Sequence, residues 1–258
     1  MYTILADTTL LARRALLRRK LLSTFSDPRS PIRSFVGTMN RVMPVRYTDS
    51  DPCKVVQVDP NAIKWRHTGD VTHAFFGRVR GGNWDKNSER FDQTKIYRSL
   101  KRRFRDGIEW QDTTYYQEAL KKVHSSDPKG PYTTESDVRA RFERLDTLFE
   151  SIRKEGYLSQ TELLEVHPEY TREFNNDAVV PRLNEVGVYV GRDGDLIFRS
   201  RGSHRLTIAK LLDLESIPVQ FSTRHKMWQQ LRYEFRDRGP SALPPSVDQG
   251  HPDLRDLR

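Results

Sequence analysis

The chain has 258 residues, of which 36% are hydrophobic, so it is long enough for one sizeable core, and with 10% aromatic residues it is not disordered throughout. No stretch approaches the roughly 18 apolar residues of a membrane-spanning helix, and the first residues lack the apolar segment of a secretory signal. Cys53 is the only cysteine, which excludes an internal disulfide framework and a multi-cysteine zinc site and favours a reducing, cytoplasmic setting.

The net charge of +9 is concentrated at one end of the chain. Residues 1–46 contain nine basic and two acidic residues, a net charge of +7, whereas the rest of the chain carries only +2. This distribution weakens the case for a protein that binds nucleic acid over its whole surface. The composition therefore predicts a basic N-terminal helical arm, residues 1–46, attached to a nearly neutral body.

Within the arm, a basic helix is predicted over residues 8–25, ended by Pro28 and Pro31. A helix that lies on a membrane surface segregates its apolar and basic faces. At about 100° per residue, Arg14 and Arg18 fall inside the apolar arc, so the segregation is poor. The segment is compatible with a solvated helix packed on the body, with a contact to an anionic membrane surface, and with a contact to a polyanion such as DNA.

The body begins with a β-branched strand, Lys54–Val58, which Pro60 ends. Residues 67–92 contain several glycines and are predicted as a loop. Apolar residues at helical spacing then predict a helix at about 93–106 and a second that starts near Asp112. The first of these helices carries a basic run opposite its apolar face, which indicates a solvated face or, alternatively, a polyanion contact. The run consists of Lys101, Arg102, Arg103 and Arg105.

The clearest helix pattern spans residues 136–155, with a capping-box pattern at Thr134 and Asp137 and a left-handed stop at Gly156. A short helix and a loop are expected at 160–182. The elements predicted after it are a β-hairpin of Val186–Val190 and Leu196–Phe198, a loop at Arg201–Arg205 that runs into a helix, a short strand at Ile217–Phe221, a C-terminal helix at 226–238, and a proline-rich disordered tail at 239–258.

The order of strand, glycine-containing loop and helix at Gly202–Arg205 is an arrangement that binds anions. Backbone N–H groups at a helix N-terminus point outward, and the helix dipole favours negative charge. Gly202 lets the backbone approach a phosphate closely, and Ser203 can cap the helix or donate its hydroxyl. His204 and Arg205 add donors, and arginine suits bidentate contact with phosphate. The alternative is a capped helix with a solvated arginine.

This loop and its neighbours resemble the central signature of the ParB/sulfiredoxin superfamily, which consists of a hairpin, a G-x-x-R or G-x-H-R loop, an alanine-containing helix and a short "IPV" strand. The matching stretches are Asp193–Phe198, Gly202–Leu206, Ala209–Leu212 and Ile217–Val219. Val55–Ile63 is similar to the family's opening strand, and Leu148–Tyr157 to the helix before the hairpin. The continuation Arg224–Gln229 is similar to archaeal and viral proteins described only as ParB-like, which implies no activity.

The resemblance implies an α/β (α+β) fold over residues 47–225, with a small mixed sheet and a large helical insertion at about 67–135. Members of the superfamily bind nucleotides or DNA. Sulfiredoxins carry their catalytic cysteine where this chain has Ser203, so reduction of a sulfinic acid is not expected.

The other members of the superfamily match in part. Free-serine kinases use a D-G-H-H-R loop, which matches at Gly202, His204 and Arg205 but has aspartate where this chain has Arg201. The G-E-R-R loop with which partition proteins bind CTP matches only at Gly202 and Arg205. Partition proteins also carry a helix-turn-helix domain, for which the residues after this fold leave no room.

The leading hypothesis is therefore a site that holds nucleotide phosphates at Gly202–Arg205, with ATP or another nucleotide and Mg²⁺, in a kinase-like phosphotransferase or a nucleotide hydrolase. Phosphoryl transfer needs a base or a metal-holding carboxylate. Asp85 is the candidate for that role, with His204 as a second catalytic residue. Asp193 and Asp195 would approach the phosphate from the hairpin, although turn residues of this type need no function.

Two alternatives stay open. One is a non-enzymatic DNA-binding or regulatory module that uses the same loop and the basic arm. The other is a peripheral membrane protein that docks through residues 8–25.

Overall fold

The structure is a computed structural model, and it describes residues 30–69, 77–125, 133–166, 181–199 and 201–258. The helix predicted over 8–25 lies outside the described residues. The described residues form an α+β fold, as expected, in which helices pack against a mixed β-sheet of seven strands.

The sheet mixes parallel and antiparallel neighbours. Its strands in chain order are β1 Val55–Val58, β2 Trp65–His67, β3 Arg78–Arg80, β4 Ser88–Arg90, β5 Val186–Val190, β6 Leu196–Phe198 and β7 Ile217–His225. Across the sheet the order is β1-β7-β5-β6-β2-β4, and β3 pairs with the second half of β7. The predicted hairpin is confirmed, because β5 and β6 pair as antiparallel neighbours.

The helices are α1 Ser30–Val42, α2 Lys95–Phe104, α3 Thr114–Val123, α4 Glu135–Glu155, α5 Gln160–Val166, α6 Ser203–Leu211 and α7 Lys226–Arg238. The capping box predicted for α4 is confirmed: the Asp137 amide donates to the Thr134 hydroxyl (3.1 Å), and the Thr134 amide donates to the Asp137 carboxylate (2.9 Å). Among the described helices, none has the length and apolar character that crossing a bilayer requires.

The first described helix, α1, was not among the predicted elements. It begins at Ser30 with Pro31 in its first turn, where a proline is tolerated because its missing N–H has no intrahelical acceptor. Arg33 donates to Asp51 (Nε–Oδ2, 2.8 Å), and the Asn40 amide donates to the Tyr47 carbonyl (2.8 Å). The described part of the predicted arm is therefore attached to the body.

The predicted insertion at 67–135 is only partly helical. It contains β3 and β4, which join the sheet where a loop was predicted. Strands of three residues are too short to show the alternation by which strands are recognised in a sequence. The helical part, α2 and α3, packs with α4 around a core of its own, which includes Leu100, Trp110 and Phe142.

Helix α6 is held between the two cores. Leu206 and Ala209 belong to the core on the sheet, and Ile208 and Leu211 belong to the core of α2, α3 and α4. All four side chains are at most 5% exposed. Because both sides of α6 are packed, the position of its N-terminus is fixed relative to the end of β6.

The prediction of a disordered tail over residues 239–258 is wrong. The segment includes two 3-10 helices, Gly239–Ala242 and Pro252–Leu257, and the Leu254 side chain is fully buried in the core on the sheet. The segment has neither helical nor strand periodicity and is rich in proline, so its order depends on contacts with the rest of the fold.

The strand β7 extends four residues beyond the predicted strand. Its second half is polar but buried, and its buried arginine is paired with a carboxylate from the tail. Arg224 is 1% exposed, and its Nε donates to Asp253 Oδ2 at 2.8 Å. Trp228 Nε1 donates to the same oxygen at 2.8 Å. The tail thus supplies the charge that lets an arginine lie inside the sheet.

Candidate anion-binding site

The N-terminus of α6 has the geometry expected of an anion site. Gly202 precedes it in the left-handed conformation, with φ of 85°, and the first intrahelical bond runs from the Leu206 amide to the Gly202 carbonyl (2.9 Å). Helix geometry leaves the amides of Ser203, His204 and Arg205 without an intrahelical acceptor. Three backbone donors and the positive end of the helix dipole therefore face the same region.

Only glycine fits at position 202. A Cβ atom there would lie 3.0 Å from Val186 Cγ2 and 3.2 Å from Val186 Cα, and the positive φ adds strain for any other residue.

We expect Gly202→Ala to lower the free energy of unfolding by about 2–4 kcal/mol, from the left-handed strain and the contact with Val186. Gly107→Ala is the matched control, because Gly107 has φ of +70° but nothing within 4 Å of a Cβ atom. The control should cost about 1 kcal/mol. Urea unfolding of both variants checks this, and equal losses would show that the contact with Val186 is unimportant.

Side chains from α3 and α4 meet at the ring of His204, in the first turn of α6. The Tyr115 hydroxyl on α3 lies 3.0 Å from His204 Nε2, and the two rings stack with centroids 5.8 Å apart. Arg141 on α4 approaches the same hydroxyl, with Nη2 at 3.5 Å. A hydroxyl from α3 and a guanidinium from α4 thus lie near the His204 ring in the first turn of α6.

His204 is held in its neutral form. Burial, together with the charges of Arg141 and Arg205, lowers the pKa of His204 to about 3. A neutral imidazole adds no positive charge to the site and is a poor general acid at neutral pH. Its contact with Tyr115 instead positions that hydroxyl.

Arg205, for which the sequence predicts a bidentate phosphate contact, is engaged with protein groups in this structure. Its Nη1 lies 3.5 Å from Glu185 Oε2 and 3.5 Å from the Tyr157 hydroxyl, and its Nη2 donates to the Asn184 carbonyl. The Glu185 side chain is fully buried, and its Oε1 accepts from the Gln160 amide at 2.6 Å. Arg205 therefore balances a buried carboxylate, and both of its terminal nitrogens contact protein groups.

Asp85 is bound to the hairpin turn. Its carboxylate accepts from Arg192 Nε (2.8 Å) and Nη2 (2.6 Å) and from the Arg192 amide (3.1 Å), and its side chain is 6% exposed. Burial by itself would raise the pKa of Asp85, but the hydrogen bonds from Arg192, with the charges of His225 and Arg192, lower it to about 2. A carboxylate so engaged is a weak base, so Asp85 connects two loops.

The predicted carboxylates and the glycine loop lie at opposite ends of the hairpin. Asp193 and Asp195 belong to the turn that follows β5, whereas the Gly187 amide, near the start of β5, donates to the Arg201 carbonyl at 3.2 Å. Four residues of strand separate these ends by about 13 Å. Asp85, Asp193 and Asp195 are therefore not brought to Gly202–Arg205, because an antiparallel hairpin places its turn away from the residues that flank it.

The surroundings of the α6 N-terminus suit a phosphate better than a magnesium ion. The described side chains there are Tyr115, Arg141, Tyr157 and Arg205, and the nearby carboxylate of Glu185 faces Arg205. Mg²⁺ prefers carboxylate oxygens together with phosphate and water. In the described ranges, no group of three or more histidine, cysteine or acidic side chains is arranged to hold a metal.

The basic run on α2 takes part in a network within the protein. Arg103 contacts Asp146 (Nε–Oδ1, 3.2 Å), and Arg105 contacts Asp213 (Nη2–Oδ2, 2.7 Å). Arg102 donates to a backbone carbonyl at 3.1 Å. These contacts attach α2 to α4 and to the end of α6, which favours the structural interpretation of the run.

Sequence reasoning missed Arg141, Tyr115 and Glu185 as neighbours of the site. Arg141 follows the buried Val138 by three residues, so it lies close to the apolar face of α4, and Glu185 directly precedes a buried strand. A charged residue beside a buried stretch is the signal that could have drawn attention to both.

Comparison of the chain with protein-family models, with curated proteins and with solved structures found no match. The site therefore has to be interpreted from its own geometry.

Proposed function

We propose that the N-terminus of α6 binds the phosphate groups of a nucleotide, in a domain of the ParB/sulfiredoxin type. The observation that carries the proposal is the left-handed turn at Gly202, after which the first three amides of α6 face one region. The Arg141 guanidinium contacts the Tyr115 hydroxyl, which in turn contacts the ring of His204 in the first turn of α6. Backbone amides at a helix N-terminus and arginine side chains are both groups that bind phosphate.

Each residue has a distinct role in this proposal. Ser203, the first residue of α6, contributes its amide and hydroxyl to the phosphate, and Arg141 contributes charge. His204 and Tyr115 hold each other in place, and Arg205 acts indirectly by fixing the segment before β5 through Glu185. No described carboxylate is placed to act as a base, so the proposal is binding, without a phosphoryl-transfer step or a metal ion.

Thermal unfolding with ATP, ADP, CTP and GTP tests the proposal. A nucleotide at 100 times its Kd should add about 2.7 kcal/mol to the stability of the folded state. Arg141→Gln should weaken the binding of that nucleotide about tenfold, because it removes one charge-assisted hydrogen bond. Arg139→Gln is the matched control, because Arg139 lies on the same helix and is exposed. Inorganic phosphate, run in parallel, separates recognition of phosphate from recognition of the nucleoside.

Two results would contradict the proposal: no nucleotide raises the melting temperature, or Arg141→Gln and Arg139→Gln respond alike. A DNA-binding module would behave differently. It would bind an oligonucleotide with an affinity that falls steeply as salt rises, and it would lose affinity when Arg18 and Arg19 are replaced by glutamine.

A further inference from the structure

One flank of α1 exposes large apolar side chains. Phe35 and Val42 are 46% and 68% exposed, and Val45, in the turn after the helix, is 59% exposed. At about 100° per residue, Phe35, Met39 and Val42 lie within about 60° of one another. We call Phe35, Met39, Val42 and Val45 the α1 stripe.

The rest of α1 shows why the stripe points away from the body. Arg33, Val36 and Asn40 lie on a different side of the helix, within about 60° of one another. Arg33 donates to Asp51, Val36 is 2% exposed, and Asn40 Nδ2 donates to the Tyr233 hydroxyl (3.0 Å). These contacts fix the rotation of α1, so the α1 stripe is held outward by the fold.

Charge indicates what would cover the stripe. Residues 30–46 contain three arginines and no acidic residue, and two of these, Arg41 and Arg46, are exposed. Residues 1–29 add six basic and two acidic residues. Exposed apolar side chains with exposed arginines next to them in the sequence, as at Arg41-Val42 and Val45-Arg46, fit the boundary between headgroups and acyl chains of an anionic bilayer. Residues 1–29 are themselves cationic, so charge opposes their docking on this surface.

We propose that the α1 stripe, with Arg41 and Arg46, is a docking surface for an anionic phospholipid membrane. Phe35, Val42 and Val45 would enter the interface, and the two arginines would contact lipid phosphates. The surface is independent of the proposed nucleotide site, since α1 makes none of the contacts described at the N-terminus of α6.

Vesicle co-sedimentation with the full chain tests the proposal, using vesicles with 30% phosphatidylserine and vesicles of phosphatidylcholine alone. We expect binding to the anionic vesicles only, and a loss of at least tenfold for Val42→Asp and for Val45→Asp. Arg41→Gln and Arg46→Gln should each lose about fivefold. Val166→Asp is the matched control, because Val166 on α5 is 59% exposed and the change is identical, and it should bind like the wild type.

Three results would overturn the proposal. The first is that Val42→Asp, Val45→Asp and Val166→Asp bind alike. The second is equal binding to both kinds of vesicle. The third is that Val42→Asp binds like the wild type while replacement of Arg13, Arg14, Arg18 and Arg19 by glutamine abolishes binding, which would assign the contact to the preceding segment. Thermal unfolding of every variant shows whether it remains folded.

Discussion

Replacing Asp253 by alanine is expected to lower the free energy of unfolding by about 3–5 kcal/mol. Its carboxylate lies between Arg224 and Arg232, whose side chains are 2% and 0% exposed, and it also accepts a hydrogen bond from Trp228. Alanine would leave the buried Arg224 guanidinium without its carboxylate partner and would release the 3-10 helix that holds Leu254 in the core. Urea unfolding followed by tryptophan fluorescence measures the loss.

Asp256→Ala is the matched control for this prediction. Asp256 lies on the same 3-10 helix and contacts Arg232 (Nη2–Oδ2, 3.1 Å), but its side chain is 21% exposed. A partly solvated pair contributes less, so we expect a loss of about 1 kcal/mol. If the two variants lose a similar free energy of unfolding, the buried pair of Asp253 stabilises the fold no more than a partly exposed pair, and the prediction for Asp253 is wrong.

The same network predicts a dependence of stability on pH. Burial by itself would raise the pKa of Asp253, but Arg224 and Arg232 lower it to about 2, below the value of about 3.9 in an unfolded chain. The contribution of Asp253 to stability is therefore complete above about pH 4 and is lost as the pH falls towards 2. Asp253→Asn should flatten the acid limb of the stability curve between these values.

Replacing Arg205 by methionine is expected to destabilise the fold by about 3 kcal/mol, although its position in the G-x-H-R loop suggests a ligand-binding role. The reason is the buried Glu185, which would lose the guanidinium at 3.5 Å. A thermal-shift comparison that used this variant alone would confuse loss of stability with loss of a ligand.

A double variant separates the two effects. Arg205→Met with Glu185→Gln removes both charges and should recover most of the stability lost in Arg205→Met, because a neutral pair leaves no uncompensated charge. Nucleotide binding by the double variant should then stay within a few-fold of the wild type if Arg205 acts only through Glu185. If Arg205→Met is as stable as the wild type and binds no nucleotide, Arg205 is itself a ligand of the phosphate.

The features that the sequence predicted correctly depend on short-range chemistry. The capping box at Thr134 and Asp137 needs only four residues, and the hairpin needs two apolar runs and a turn with Gly194. The N-terminus of α6 was found in the same way, since Gly202 alone among its neighbours tolerates the left-handed turn. Such signals are complete within a few residues, so they can be recognised without the fold.

The features that were missed or misassigned depend on partners far away in the chain. The tail is ordered by Arg224 and Arg232, some 20 to 30 residues earlier, and Arg205 is directed towards Glu185, 20 residues before it. Asp85 was predicted to join the glycine loop and is instead held by Arg192, 107 residues later.

By itself, then, the sequence determined the α+β class, the hairpin and the helix that begins after Gly202. Only the tertiary structure decided which charged side chains lie near that N-terminus, that the tail is part of the core, and that the α1 stripe faces outward. The physical reason is that burial changes the role of a charge. In a sequence, a side chain such as Arg205 or Asp85 is a candidate ligand. Once it is buried beside an opposite charge, it stays paired with that partner, because a buried charge without a partner has a large desolvation cost.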